Sequence, residues 1–163
     1  MPTSVNRSDI PVLLLLLAAI IALGAAYGSQ HFGDLQPCKL CLYQRWPWWA
    51  VLGLASLTFV LPVSAEVKKR ALIILGLVLF VGTSIAIYHT GVEQKWWPGP
   101  ATCSGVVELP KTLSELHSSL QRAVNVPCDE VPWSFMGISM AGYNAIASGT
   151  AALFAFSTGL RKT

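Results

Sequence analysis

Charge is what this chain has least of. Only 12% of its 163 residues are Asp, Glu, Lys or Arg, about half the share of an ordinary soluble domain. That scarcity argues against a water-facing surface of usual composition and favours a membrane class. The net charge of +3 is small and spread over short loops, so no nucleic-acid partner is expected. No internal repeat or low-complexity tract occurs, and the length suits one domain. Cysteine is sparse as well. Of four cysteines, only Cys38 and Cys41 have the short spacing of a metal knuckle. No second short pair follows them, which disfavours a tetrahedral zinc site, and no metal is expected.

Apolar length is what the chain does have. Four runs approach the roughly 20 residues that cross a bilayer, at about 11–29, 44–63, 71–89 and 138–160. They predict an all-α membrane protein, a single domain over residues 1–163 built as a four-transmembrane-helix bundle. Loops at 30–43 and 90–137 then lie on one side. Small residues recur every fourth position in the last run (Ala141, Ala145, Gly149; Ser148, Ala152), and Gly24 and Gly28 repeat the spacing in the first. Such stripes suit close helix packing. The first run also admits a second reading as a cleaved signal peptide, since Arg7 precedes its leucines. The topology of the rest is the same either way.

Basic residues near span ends set orientation. Arg7, Lys68, Lys69, Arg70, Arg161 and Lys162 share one side, which predicts cytoplasmic termini. The other side holds six of the eight acids, Asp34, Glu93, Glu108, Glu115, Asp129 and Glu130, and all four cysteines. Those cysteines are expected to face an oxidising compartment, where disulfides persist. In the long loop, Thr112 to Glu115 fits a capping box, and Leu113, Leu116, Leu120 and Val124 recur at helical spacing. This predicts a short amphipathic helix on the membrane surface. Trp96 and Trp97 precede it at interfacial depth.

Cys38, Cys41, Cys103 and Cys128 admit three readings. Static disulfides are one: closing about 25 residues between Cys103 and Cys128 is worth roughly 3–4 kcal/mol in the chain-entropy picture. Zinc is the second. The third is a thiol–disulfide relay. The Cys-x-x-Cys ring is too short to staple much chain, and its spacing recurs where thiol pKa is lowered. Cys41 sits near a helix start, and Arg45 follows four residues later on the same face. A helix N-terminus and a guanidinium each stabilise a thiolate, the form that exchanges disulfides. The plainer role for Arg45 is an interfacial anchor. A reactive pair at the membrane surface can pass electrons to an acceptor dissolved in lipid.

Three stretches carry a family resemblance: "PCKLCLYQR" at Pro37 to Arg45, "YHTGVEQKWWPGPATC" at Tyr88 to Cys103, and "PCDEVPWSFMGISMAGYN" at Pro127 to Asn144. In that order, between four apolar runs, the chain resembles DsbB, the bacterial membrane oxidoreductase that reoxidises the periplasmic thiol oxidase DsbA with quinone. That DsbA–DsbB–quinone system is already known to keep the bacterial periplasm oxidising. The resemblance implies a mixed disulfide at Cys103, with Cys128 as its partner. Cys128 then exchanges with the Cys38–Cys41 pair. Cys38 would accept the inter-loop bond, and Cys41 would be released toward quinone. Arg45 and His89 would bind the quinone headgroup, though a lone interfacial histidine is the plainer role for His89. It further implies a DsbA-like thioredoxin-fold partner, a bacterial inner membrane, and ubiquinone in preference to menaquinone. Pro47 departs from the pattern: the second span either starts there or kinks. Two rivals stand beside this reading. One is a structural membrane protein with static disulfides. The other is a quinone reductase of the vitamin K epoxide reductase type, whose Cys-x-x-Cys would be expected in the fourth helix.

Overall fold

The structure is a computed structural model that describes residues 6–101, 103, 112 and 126–161. Its helices are α1 (Ile10–Phe32), α2 (Lys39–Val60), α3 (Ala65–Glu93) and α4 (Met140–Gly159). A two-stranded hairpin, β1 (Ser134–Phe135) and β2 (Ile138–Ser139), leads into α4. Its turn residues Met136 and Gly137 have φ of 51° and 79°. A two-residue turn with both φ positive matches strand twist, and glycine supplies the second position without strain.

Local chemistry sets the helix starts. Ser64 accepts from the Val67 amide to open α3, and Ser139 accepts from the Gly142 amide to open α4. Each satisfies an amide that has no partner inside the helix. Cys38 caps α2 in the same way through its sulfur. The caps Cys38 and Ser64 lie outside the apolar runs, so α2 and α3 begin earlier than the predicted spans, whereas Ser139 lies inside the last run and α4 begins two residues into it. The basic triplet at 68–70 consequently sits in the first turns of α3, not in a loop.

Val12, Leu15, Ala19 and Leu23 form one stripe on α1 and pack against Trp48, Val51 and Ala55 of α2, Leu72, Leu75 and Leu79 of α3, and Ala152 and Ala155 of α4. The outer faces are apolar too: Leu14, Leu17, Ile21, Phe80, Val81, Ile87 and Leu153 are all exposed. So much outward apolar surface is costly in water and ordinary in lipid. Two helices, α1 and α3, are long and apolar enough by themselves to cross a membrane.

Small residues let α3 and α4 approach. A Cβ added at Gly76 would meet the Phe156 ring at 2.9 Å, and one at Gly149 would touch Thr83 at 3.4 Å. Thr83 also donates to Ser148 across this seam at 3.0 Å. The glycines of the first run behave differently. A Cβ at Gly24 or Gly28 would meet nothing within 4 Å, so that stripe packs no helix against it among the described residues. Pro47 lies inside α2 and does not start it. Its ring fits against Gly82, where a Cβ would lie 3.0 Å away. The predicted amphipathic helix after Thr112 falls outside the described residues.

Candidate functional site

The site begins at a helix cap. Cys38 has extended backbone angles, and its sulfur accepts from the Cys41 amide at 3.2 Å. That places Cys41 in the first turn, with the two sulfurs 2.7 Å apart, within reach of a disulfide bond. Cys38 is buried and Cys41 is half-buried. From α3, His89 brings Nε2 to 3.5 Å from the Cys38 sulfur.

A buried polar chain backs the histidine. His89 Nδ1 lies 2.6 Å from Gln44 Nε2 on α2. Gln44 Oε1 accepts from Asn144 on α4 at 2.6 Å, and Asn144 Oδ1 accepts from the Trp48 indole at 2.8 Å. One turn along α3, Glu93 accepts from the Ser139 hydroxyl. Its other oxygen lies 3.8 Å from His89 Nε2. Among the described residues, no buried side-chain nitrogen or oxygen lacks a partner. Burying this much polarity is tolerable only because it is fully paired.

The electrostatics separate the two thiols. The Cys41 thiol donates to Cys38, and His89 adds a second hydrogen bond; against the opposing effect of burial, the Cys38 thiol falls to about 4. Its place at a helix N-terminus acts in the same direction. Cys41 is pushed up by the hydrogen bond it gives Cys38 and by burial. Burial also raises Glu93, although Ser139 and His89 oppose the shift. In the dithiol form the negative charge therefore rests on Cys38. Cys41 becomes the free thiol when Cys38 is engaged in a bond.

Arg45 turns another way. Its guanidinium donates to Gln30 Oε1 at 3.0 Å and to the Ala26 carbonyl at 3.2 Å, and it lies 4.7 Å over the Tyr27 ring. It shares a face of α2 with Cys41, but its partners here are all on α1. His89 is brought to the cysteines; Arg45 is set beside them, one helical turn below.

Cys103 and Cys128 form a disulfide. They pack with Cys38, Leu40 and Val92 in one buried cluster that Cys41 and Val126 adjoin. All four cysteines thus share one small core. A cleft of about 410 Å³ opens beside Cys103, lined by Val92, Lys95, Trp97, Gly99 and Asp129 among others. A second, nearly wholly apolar cleft of about 740 Å³ lies between α2 and α3, with Leu40, Tyr43, Pro47, Ile85 and Tyr88 in its walls. An apolar cleft that begins beside the cysteine motif, at Leu40 and Tyr43, fits the apolar part of a lipid-soluble quinone. Cys38, Cys41 and His89 also place their donor atoms within 4.8 Å of one another. Two sulfurs already this close favour sulfur–sulfur chemistry over a metal.

Sequence reasoning missed Gln44, Asn144, Glu93 and Ser139 as parts of this site. A polar residue inside a membrane-spanning run is the available signal, and Gln44 and Asn144 both carried it.

The family described as Disulfide bond formation protein DsbB matches residues 8–158. Three relatives are each called Disulfide bond formation protein B. The one from Shewanella loihica is 33% identical over 156 residues, 91% of this chain and 86% of that protein. The one from Photobacterium profundum is 33% identical, covering 83% of this chain and 77% of that protein. The one from Shewanella amazonensis is 30% identical, covering 82% and 79%. No solved structure matches the chain.

Proposed function

The chain belongs to the DsbB family, and from that premise we propose how its four cysteines divide the work. It is a membrane oxidoreductase that generates disulfides, reoxidising a DsbA-like thiol oxidase and passing the electrons to quinone. Cys103 receives the partner. The partner's thiolate attacks the Cys103 sulfur, the Cys103–Cys128 bond breaks, and Cys128 leaves as a thiolate. Cys128 then attacks Cys38 in the Cys38–Cys41 disulfide and releases Cys41. The partner's second thiolate resolves the mixed disulfide, which frees Cys103 and yields oxidised partner. Cys103 attacks Cys128, restores their bond and releases Cys38. The balance leaves Cys38 and Cys41 as the dithiol and Cys103–Cys128 as the disulfide, the state of this structure.

A bound quinone supplies the sink for two electrons and two protons. Cys38 and Cys41 give them up as their disulfide reforms. Arg45 and His89 would hold the headgroup, Arg45 by turning from its α1 partners, and the apolar cleft would take the tail. A stabilised Cys38 thiolate favours the reduced pair, and stabilising the reduced form makes a disulfide the stronger oxidant. The pair needs that strength to draw electrons from an oxidising partner. The finer reading has four spans and cytoplasmic termini in a bacterial inner membrane. The cysteines are periplasmic, the loop at 90–137 carries the exchange, and ubiquinone is preferred to menaquinone.

The observation that carries this reading is the single buried cluster holding all four cysteines, with His89 against one of them. The test is anaerobic. Detergent-solubilised protein is mixed with a reduced thioredoxin-fold oxidase and a soluble ubiquinone analogue, and quinone absorbance is followed. Cys41→Ser should abolish consumption, and Arg45→Ala should require about tenfold more quinone, the worth of one charge-assisted contact. No consumption by folded protein would leave static disulfides as the function of these cysteines.

A further inference from the structure

We propose that Trp48, Asn144 and Gln44 form a one-way hydrogen-bond chain that holds His89 in the tautomer with its proton on Nε2, facing Cys38. The argument starts from the one group that cannot reverse. An indole N–H only donates. Its partner, 2.8 Å away, must therefore be the Asn144 oxygen, which turns the Asn144 amide nitrogen toward Gln44. That nitrogen donates to Gln44 Oε1 at 2.6 Å, which turns the Gln44 nitrogen toward His89. The Gln44 nitrogen donates to Nδ1 at 2.6 Å. Amide and imidazole orientations are ambiguous when each is taken alone. Here they are settled in series from a fixed end.

The result is specific. A ring whose Nδ1 accepts is neutral only with its proton on Nε2, and Nε2 lies 3.5 Å from the Cys38 sulfur. His89 meets the sulfur as a donor through Nε2. The other ionisable groups facing this pair are Cys41 from α2 and Glu93 from α3; the Arg45 cation is turned to α1. The chain runs from α2 to α4, back to α2 and on to α3. It therefore ties the ring's protonation to how three helices pack. Trp48 and Asn144 touch neither sulfur, so they are positioning residues.

The inference deepens the reading of Cys38 as the reacting thiol and rests on it, but its test does not depend on turnover. Histidine is labelled with ¹⁵N in the full-length reduced protein in micelles at pH 8, with His89→Asn assigning the signal. The wild-type ring should carry its proton on Nε2. In Asn144→Asp, a carboxylate can only accept. Gln44 must then turn its nitrogen to residue 144 and its oxygen to Nδ1, and the proton should move to Nδ1. The Cys38 alkylation midpoint should rise by about one pH unit as the sulfur loses that donor. Trp48→Phe removes the fixed end, and both tautomers should appear. A proton found only on Nε2 in both variants, with unchanged melting, overturns the proposal. A shifted tautomer with no quinone reduction in any form would instead uphold the chain and sink the enzymatic reading.

Discussion

Two sulfur pairs share one buried cluster and differ in almost everything around them. Cys38 and Cys41 sit at the start of a helix, with a histidine against one sulfur and a polar chain behind it. Cys103 and Cys128 lie 25 residues apart, and what adjoins them in the cluster is Val92, Val126 and Leu40. Around the first pair, Cys41, His89 and the helix start stabilise charge on the Cys38 sulfur. The second opens onto a cleft with Trp97, Lys95 and Asp129 in its walls, a surface another protein can reach. Sulfur chemistry is the same in both; the proposed roles, one pair for the electron acceptor and the other for the partner, follow the difference in their neighbours.

The largest expected effect breaks this division directly. Cys103→Ser should lose quinone reduction driven by the thioredoxin-fold oxidase, by about a thousandfold or more, because the entry sulfur is gone. It should keep reduction driven by a small dithiol, which can reach Cys38–Cys41 itself. Cys41→Ser should lose both. If Cys103→Ser stops the small dithiol equally, the pairs do not have separate tasks.

A second prediction concerns pH. In the dithiol state the Cys38 alkylation midpoint should lie near 4, against about 8.5 for the same thiol in denaturant. A folded value below the unfolded one stabilises the fold above the unfolded pKa, and that stability is lost as pH falls through the folded pKa. Melting of the dithiol form should therefore rise with pH between about 4 and 8.5. A midpoint near 8 in the folded protein would remove the thiolate from the argument.

Much of this was legible in the sequence, and the rest was not for physical reasons. Each of the four apolar runs overlaps one helix, because hydropathy and span length are local properties. Cys41 near a helix start was readable from the motif; that Cys38 caps the helix was not. The chain behind His89 was not, since Asn144 and Gln44 are 100 positions apart and no local spacing pairs them. The i, i+4 relation put Arg45 on the Cys41 face, but spacing does not choose a rotamer. The Gln30 side chain, the Ala26 carbonyl and the ring of Tyr27 took the guanidinium to α1. Pro47 read as a start or a kink, yet tertiary packing against Gly82 holds it inside α2. The stripe of Gly24 and Gly28 read like that of α4 but has no neighbour among the described residues, because periodicity shows a face and not what covers it.

The smallest effect should fall on one pair only. Gly91 is buried under Trp97, and an added Cβ would lie 2.0 Å from the indole. That indole stacks on Tyr88 at 5.9 Å and donates to the Tyr88 carbonyl, while the Tyr88 hydroxyl donates to Pro98. Two residues further on, Pro100 accepts from the Cys103 amide. Gly91→Ala must push Trp97 off this stack and loosen the turn that presents Cys103. Overpacking of this kind costs about 1–3 kcal/mol, or roughly 2–10 °C in Tm for a chain of this size. Oxidase-driven turnover should fall by about three- to tenfold, the kinetic equivalent of about 1 kcal/mol at the entry site. Dithiol-driven turnover and the Cys38 alkylation midpoint should stay as they were, since the polar chain runs on the other side of His89. An equal fall in both activities would mean that Trp97 supports the whole cluster, and that the two pairs are one mechanical unit.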